Sequence, residues 1–159
     1  MAAETLTGTR AATSFPAAQS HTAGAVLCAY GTYAVAANVE AGDIFEMCKL
    51  PAGAVVIGGW ITADDMDTNA TETLDMDVGW AANGTESADS DGLGNLGLWE
   101  GNAITDLKAE AYNYFPLGGV LKDGPVTFTK ETIIQIQAVA VSATFAAGDM
   151  SVYVLYLTP

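Results

Sequence analysis

Residues 71–80 read TETLDMDVGW. Leu74, Met76, Val78 and Trp80 fall on one side of this stretch, and Thr73, Asp75 and Asp77 on the other. Successive side chains of an extended chain point to opposite faces, so strict alternation predicts a β-strand. The expected strand has one buried apolar face and one wet, acidic face.

The segments around it carry the same kind of signal. Upstream, AVVIGGWITA at 54–63 follows the turn Pro51-Ala-Gly53, and Gly58 and Gly59 inside it predict a bulge or a close backbone approach. DIFEMCKL at 43–50 and AVLCAYGTYAVA at 25–36 are further strands. Downstream, 81–102 reads as a Gly-, Asn- and Asp-rich loop, long enough to be functional or to hold a short helical turn. Ile104, Leu107 and Ala111 have helical spacing, so 103–112 is expected to be one short helix. Short strands are expected at 117–121 and, after the Gly124-Pro125 turn, at 126–129. In TIIQIQAVAVS at 132–142, Ile134 and Ile136 share one face and Gln135 and Gln137 the other. MSVYVLYL at 150–157 is apolar on both faces, which predicts a central strand or one packed on another subunit.

About eight short strands and at most one short helix define an all-β fold, a single-domain antiparallel β-sandwich of jelly-roll type over residues 24–159. Residues 1–23, rich in Ala, Thr and Ser, read as an extended N-terminal arm outside the core, with no signal-peptide pattern.

Charge removes several functions. The 159 residues hold 19 Asp and Glu against 5 Lys and Arg, a net charge of −14. Nucleic-acid backbones and anionic membranes are met by clustered Lys and Arg, so neither is an expected partner. A single histidine, His21, and two cysteines leave little material for zinc sites, Ser-His-Asp triads or Cys-His dyads. Cys28 and Cys48 sit in apolar stretches and read as small buried hydrophobes, with a disulfide between neighbouring strands as the other reading. Asp64, Asp65 and Asp67 are aspartates of a turn, although paired carboxylates also do acid–base chemistry on sugars.

One loop has metal-ligand spacing. Counting from Asp89, DSDGLGNLGLWE supplies Asp89 and Asp91, a glycine at the sixth place, Asn95 and Glu100, a partial match to a calcium loop. Its fifth place is Leu93, and no amphipathic helix leads into it. Calcium is thus the one cofactor the sequence raises. The tryptophans and tyrosines offer either core packing or sugar stacking.

AGDIFEMCKLPAGAVVI at 41–57, TLDMDVGW at 73–80 and VYVLY at 152–156 together resemble the head decoration, or cement, proteins of tailed bacteriophages, over residues 24–158. The resemblance implies a jelly-roll sandwich, a homotrimer, and many copies bound to the major capsid protein on the outer surface of the virion. It brings no catalytic residues. Candidate contacts are Arg10, Phe15 and Pro16 on the arm and Val152, Tyr153, Val154 and Tyr156 on the final strand. The alternative is a carbohydrate-binding sandwich, a fibre or adhesin head with calcium at 89–100.

Overall fold

The computed structural model describes residues 5–8, 25–98 and 112–158. In chain order the strands are β1 (Thr5–Thr7), β2 (Leu27–Val35), β3 (Ile44–Leu50), β4 (Val55–Asp64), β5 (Asp75–Trp80), β6 (Asp89–Leu98), β7 (Tyr112–Pro116), β8 (Val126–Thr127), β9 (Thr132–Ala140) and β10 (Gly148–Leu157). A single 3-10 turn, Gly119–Asp123, precedes β8.

Two sheets face each other. One has the order β1-β3-β9-β5-β6; the other has β2-β10-β4-β7, with β8 also on β4. β1 runs parallel to β3, and every other pairing is antiparallel. Without β1 and β8, the eight remaining strands have jelly-roll order, the chain crossing between sheets at each step from β2 to β5. The inward alternation of each strand fills the space between them. Phe45, Met47, Leu50, Met76, Val78, Ile134, Ile136, Met150, Val152 and Val154 are fully buried there.

The predicted bulge in β4 is present. The register against β10 shifts between Leu155 and Tyr156, and Ile57 is the extra residue. Gly59 has φ +151°, and a Cβ on it would lie 2.1 Å from the Tyr153 carbonyl oxygen. That position therefore needs glycine.

Several expectations are corrected. Leu74, Met76, Val78 and Trp80 are buried as read, but Asp77 on the opposite face is only 7% exposed. β5 is an inner strand, flanked on both sides, and Gln137 of β9 and Asn95 of β6 stand opposite Asp77. Gln135 is buried too. The stretch 81–102 is not all loop, because β6 occupies Asp89–Leu98. The strand expected at 117–121 is the 3-10 turn. The arm is not wholly outside the core: Thr5–Thr7 extend the edge at β3, and Leu6 packs against the core. The predicted helix at 103–112 falls almost entirely outside the described residues.

Candidate functional site

β10 lies between β2 and β4, as its two apolar faces predict. Val152, Val154 and Tyr156 point into the sandwich and have no exposed surface. They belong to the hydrophobic core. Tyr153 points the other way, onto the outer face of the sheet.

There the register builds three rows. Cys28, Leu155 and Gly58 form one, Tyr30, Tyr153 and Trp60 the next, and Thr32, Ser151 and Thr62 the third. The Tyr153 ring stacks on Tyr30 at 5.9 Å and on Trp60 at 5.1 Å, with interplanar angles of 17° and 19°. Thr32 and Ser151 hydroxyls are hydrogen-bonded at 2.9 Å. Tyr30 is 43% exposed, and Val26 and Ile57 at the margins are 57% and 39% exposed. No carboxylate or amine stands in these rows. The next row brings Asp149, whose backbone N–H donates to Asp64 Oδ2 at 2.8 Å. An outer face of aromatic and hydroxyl side chains, with no charge in these three rows, on so acidic a chain is a candidate interaction surface.

The aspartate cluster serves the fold. Asp67 is 2% exposed. Its Oδ2 accepts the backbone N–H of Thr73 at 2.7 Å, Ala143 at 2.9 Å and Leu74 at 3.2 Å. Its Oδ1 accepts those of Thr144 at 2.9 Å and Asn69 at 3.3 Å. Burial pushes this carboxyl up, but the donors of Thr73, Thr144, Ala143 and Leu74 together hold it below its ordinary value. Asp65 accepts the Asp67 N–H. At the opposite turn, the Thr129 hydroxyl and backbone N–H bind Glu86 Oε1 and hold that carboxyl down to about 2.

Asp89, Asp91 and Asn95 belong to the extended strand β6 and do not wrap round a centre as a calcium loop does. Glu100 lies outside the described residues, as do Arg10, Phe15, Pro16 and His21. Burial, then the hydrogen bond and charge of Asp91, push the Asp89 carboxyl above its ordinary value. Among the described residues, no group of three or more His, Cys, Asp or Glu converges on a common point. Gly92 of β6 has a packing reason: the Trp80 ring lies over it, and a Cβ there would be 2.3 Å from the ring. Trp80 Nε1 donates to the Ser87 carbonyl at 3.0 Å.

A cavity of about 330 Å³ opens where β1 meets the sandwich, lined by Leu6, Tyr33, Val35, Val39, Phe45 and neighbouring alanines. Asp43 at its wall accepts the Glu40 N–H at 2.8 Å. Both cysteines are free thiols; Cys28 is exposed and Cys48 buried. Burial, with the neighbouring Cys28, pushes the Cys48 thiol up to about 12.

The aromatic row was beyond sequence reasoning. It joins residues from three distant segments, and only the register brings them together.

The fold of this chain is shared with chains of solved phage capsid structures. The chain has TM-score 0.76 and 18% identity to a chain in the structure "Capsid of Ralstonia phage GP4", covering 98% of each. Against a chain of the "Cyanophage Pam1 capsid asymmetric unit" the TM-score is 0.60 at 28% identity, covering 91% of this chain and 93% of that one. A chain of the acidic stable capsid structure of Helicobacter pylori bacteriophage KHP30 gives 0.52 at 16% identity, covering 87% and 91%. No family model matches the chain, and no curated protein matches it.

Proposed function

We propose that this chain is a structural protein of a bacteriophage virion, a decoration or cement protein. It sits on the outer surface of the head as a homotrimer and holds neighbouring major capsid protein subunits together. The observation that carries the reading is the 28% identity, across nearly the whole of both chains, to a component of a phage capsid asymmetric unit. No catalytic step is assigned to it.

Physical chemistry supports the role. A net charge of −14 keeps particles dispersed by mutual repulsion. A protein that binds the assembled shell and not its dispersed subunits opposes disassembly by mass action. The arm that carries Arg10, Phe15 and Pro16 is suited to reach a neighbouring protein, and any contacts it makes must exceed the entropy lost on ordering. The glycan-binding alternative needs open aromatic faces, but Tyr153 has a ring stacked on each side.

The test is co-sedimentation with isolated phage heads from the same source, before and after shell expansion. The full chain is expected to pellet with expanded heads and to raise the temperature at which they release DNA. Pelleting no better than an unrelated protein of equal acidity overturns the proposal.

A further inference from the structure

Residues 81–88 join β5 to β6 and hold the one Asn–Gly pair of the chain, Asn83-Gly84. The Asn83 backbone N–H donates to the Glu86 carbonyl at 3.2 Å, which closes the turn. Gly84 has φ +88°, and nothing lies within 4 Å of a Cβ placed on it. Gly84 and Thr85 are exposed, and Asn83 is half-buried. The side-chain amide of Asn83 is held at both ends. Its Oδ1 accepts the backbone N–H of Thr85 at 3.0 Å and that of Glu86 at 2.8 Å. Its Nδ2 donates to Thr132 Oγ1 at 2.8 Å. Thr132 is fully buried at the start of β9. It gives its one hydroxyl proton to the Lys130 carbonyl at 2.9 Å, so toward Asn83 it is an acceptor only.

We propose that Asn83 is a deamidation site that the folded turn holds closed and that converts when the turn opens. The reaction needs only water. The Gly84 backbone nitrogen attacks Asn83 Cγ, and the new C–N bond closes a five-membered imide. The Cγ–Nδ2 bond breaks, and Nδ2 leaves as ammonia with the proton that the backbone nitrogen gives up. Water then opens the imide at either carbonyl, leaving aspartate or isoaspartate. Gly84 has no Cβ to hinder the attacking nitrogen. The fold opposes the step at the other partner: to bond with that nitrogen the Asn83 side chain has to rotate, and the rotation breaks the bonds that fix it at both ends. The product fits the closed turn poorly. A carboxylate there has no proton for Thr132 Oγ1. It also faces Glu86, whose carboxyl is held down by the Thr129 hydroxyl and backbone N–H and then by the Asn83 side chain. Conversion runs one way and loosens the β5–β6 turn, so the site records its opening.

The test is incubation of the full chain in mildly alkaline buffer, native and in urea, with the conversion of residue 83 followed by peptide mapping and mass spectrometry. The chain in urea is expected to convert at Asn83. The native chain is expected to convert at least about tenfold more slowly, because several hydrogen bonds have to break before each attack. Thr132→Val keeps the size of the buried side chain and removes the acceptor of the amide. It is expected to speed the native conversion severalfold, while Asn69, which alanine follows, keeps its rate in the same sample. Circular dichroism checks that this variant is folded during the incubation, and the comparison of native with unfolded wild type needs no variant. Asn83→Asp, the product itself, is expected to unfold at a lower temperature than wild type. A native wild type that converts as fast as the unfolded chain, an unfolded chain that does not convert at Asn83, or a folded Thr132→Val with the wild-type native rate overturns the proposal.

Discussion

Asp67→Ala is expected to lower the midpoint of thermal unfolding by about 10 °C, as a loss of roughly 3 kcal/mol does in a domain of this size. Five backbone N–H groups, from residues 69, 73, 74, 143 and 144, lose their acceptor at once. Hydrogen bonds to a charged group are each worth about 1.5–3 kcal/mol, but they do not add, and donors near the surface regain water. The two connections that Asp67 ties, 66–74 and 141–145, also hold the bridge between Asp67 and Phe145. A pH dependence accompanies the loss. The carboxyl is held below its unfolded value in the native chain. Its stabilisation is therefore complete above the unfolded value, about pH 4, and is lost as pH falls through the lower native one. Differential scanning calorimetry from neutral to acid pH should show wild type losing stability at the acid end and Asp67→Asn losing less there, having already lost the interaction. An unfolding midpoint within 2 °C of wild type in Asp67→Ala, a change of about 0.5–1 kcal/mol, would show that the loops are held by something else.

Gly31→Ala is expected to be at least as damaging, by a different route. Gly31 of β2 faces inward against β3 of the other sheet, and a Cβ there would lie 1.9 Å from the Met47 carbonyl oxygen and 2.5 Å from its carbon. Both atoms are backbone of β3, so the clash is relieved only by moving a strand. Overpacking a dense interior costs about 1–3 kcal/mol, and more when backbone is displaced. The paired control is Gly58→Ala, where nothing lies within 4 Å of the added Cβ and the backbone is not left-handed. That change is expected to be neutral or to stabilise slightly by restricting the unfolded chain. Urea unfolding of both variants gives the comparison. Equal midpoints would mean that the sheets are not held at this separation.

What was legible in the sequence was local. Alternation placed Leu74, Met76, Val78 and Trp80 in the core, and two adjacent glycines marked the β4 bulge. The apolar faces of 150–157 put β10 in the middle of its sheet. β6 is hidden because DSDGLGNLGL has few β-formers and much turn chemistry. It becomes a strand through tertiary pairing: β5 offers its free side, and glycines let the two approach, since a Cβ at Gly79 would lie 1.8 Å from the Asp89 carbonyl oxygen. The acidic face of β5 was misread because period two tells faces apart but not what covers them. Val152 and Tyr153 show the same limit. Adjacent letters of one apolar strand have opposite fates, one fully buried and one on an outer face. The aromatic row and the five donors to Asp67 are set by long-range register, which single segments do not encode.

The central claim is that this chain is a virion shell protein. Quantitative mass spectrometry of purified virus particles from the source, counting this chain against the major capsid protein, tests it most directly. The expected result is a fixed ratio to the major capsid protein from one preparation to the next, with the chain present in many copies on every particle. Absence from the particles, or a handful of copies in each, would contradict it.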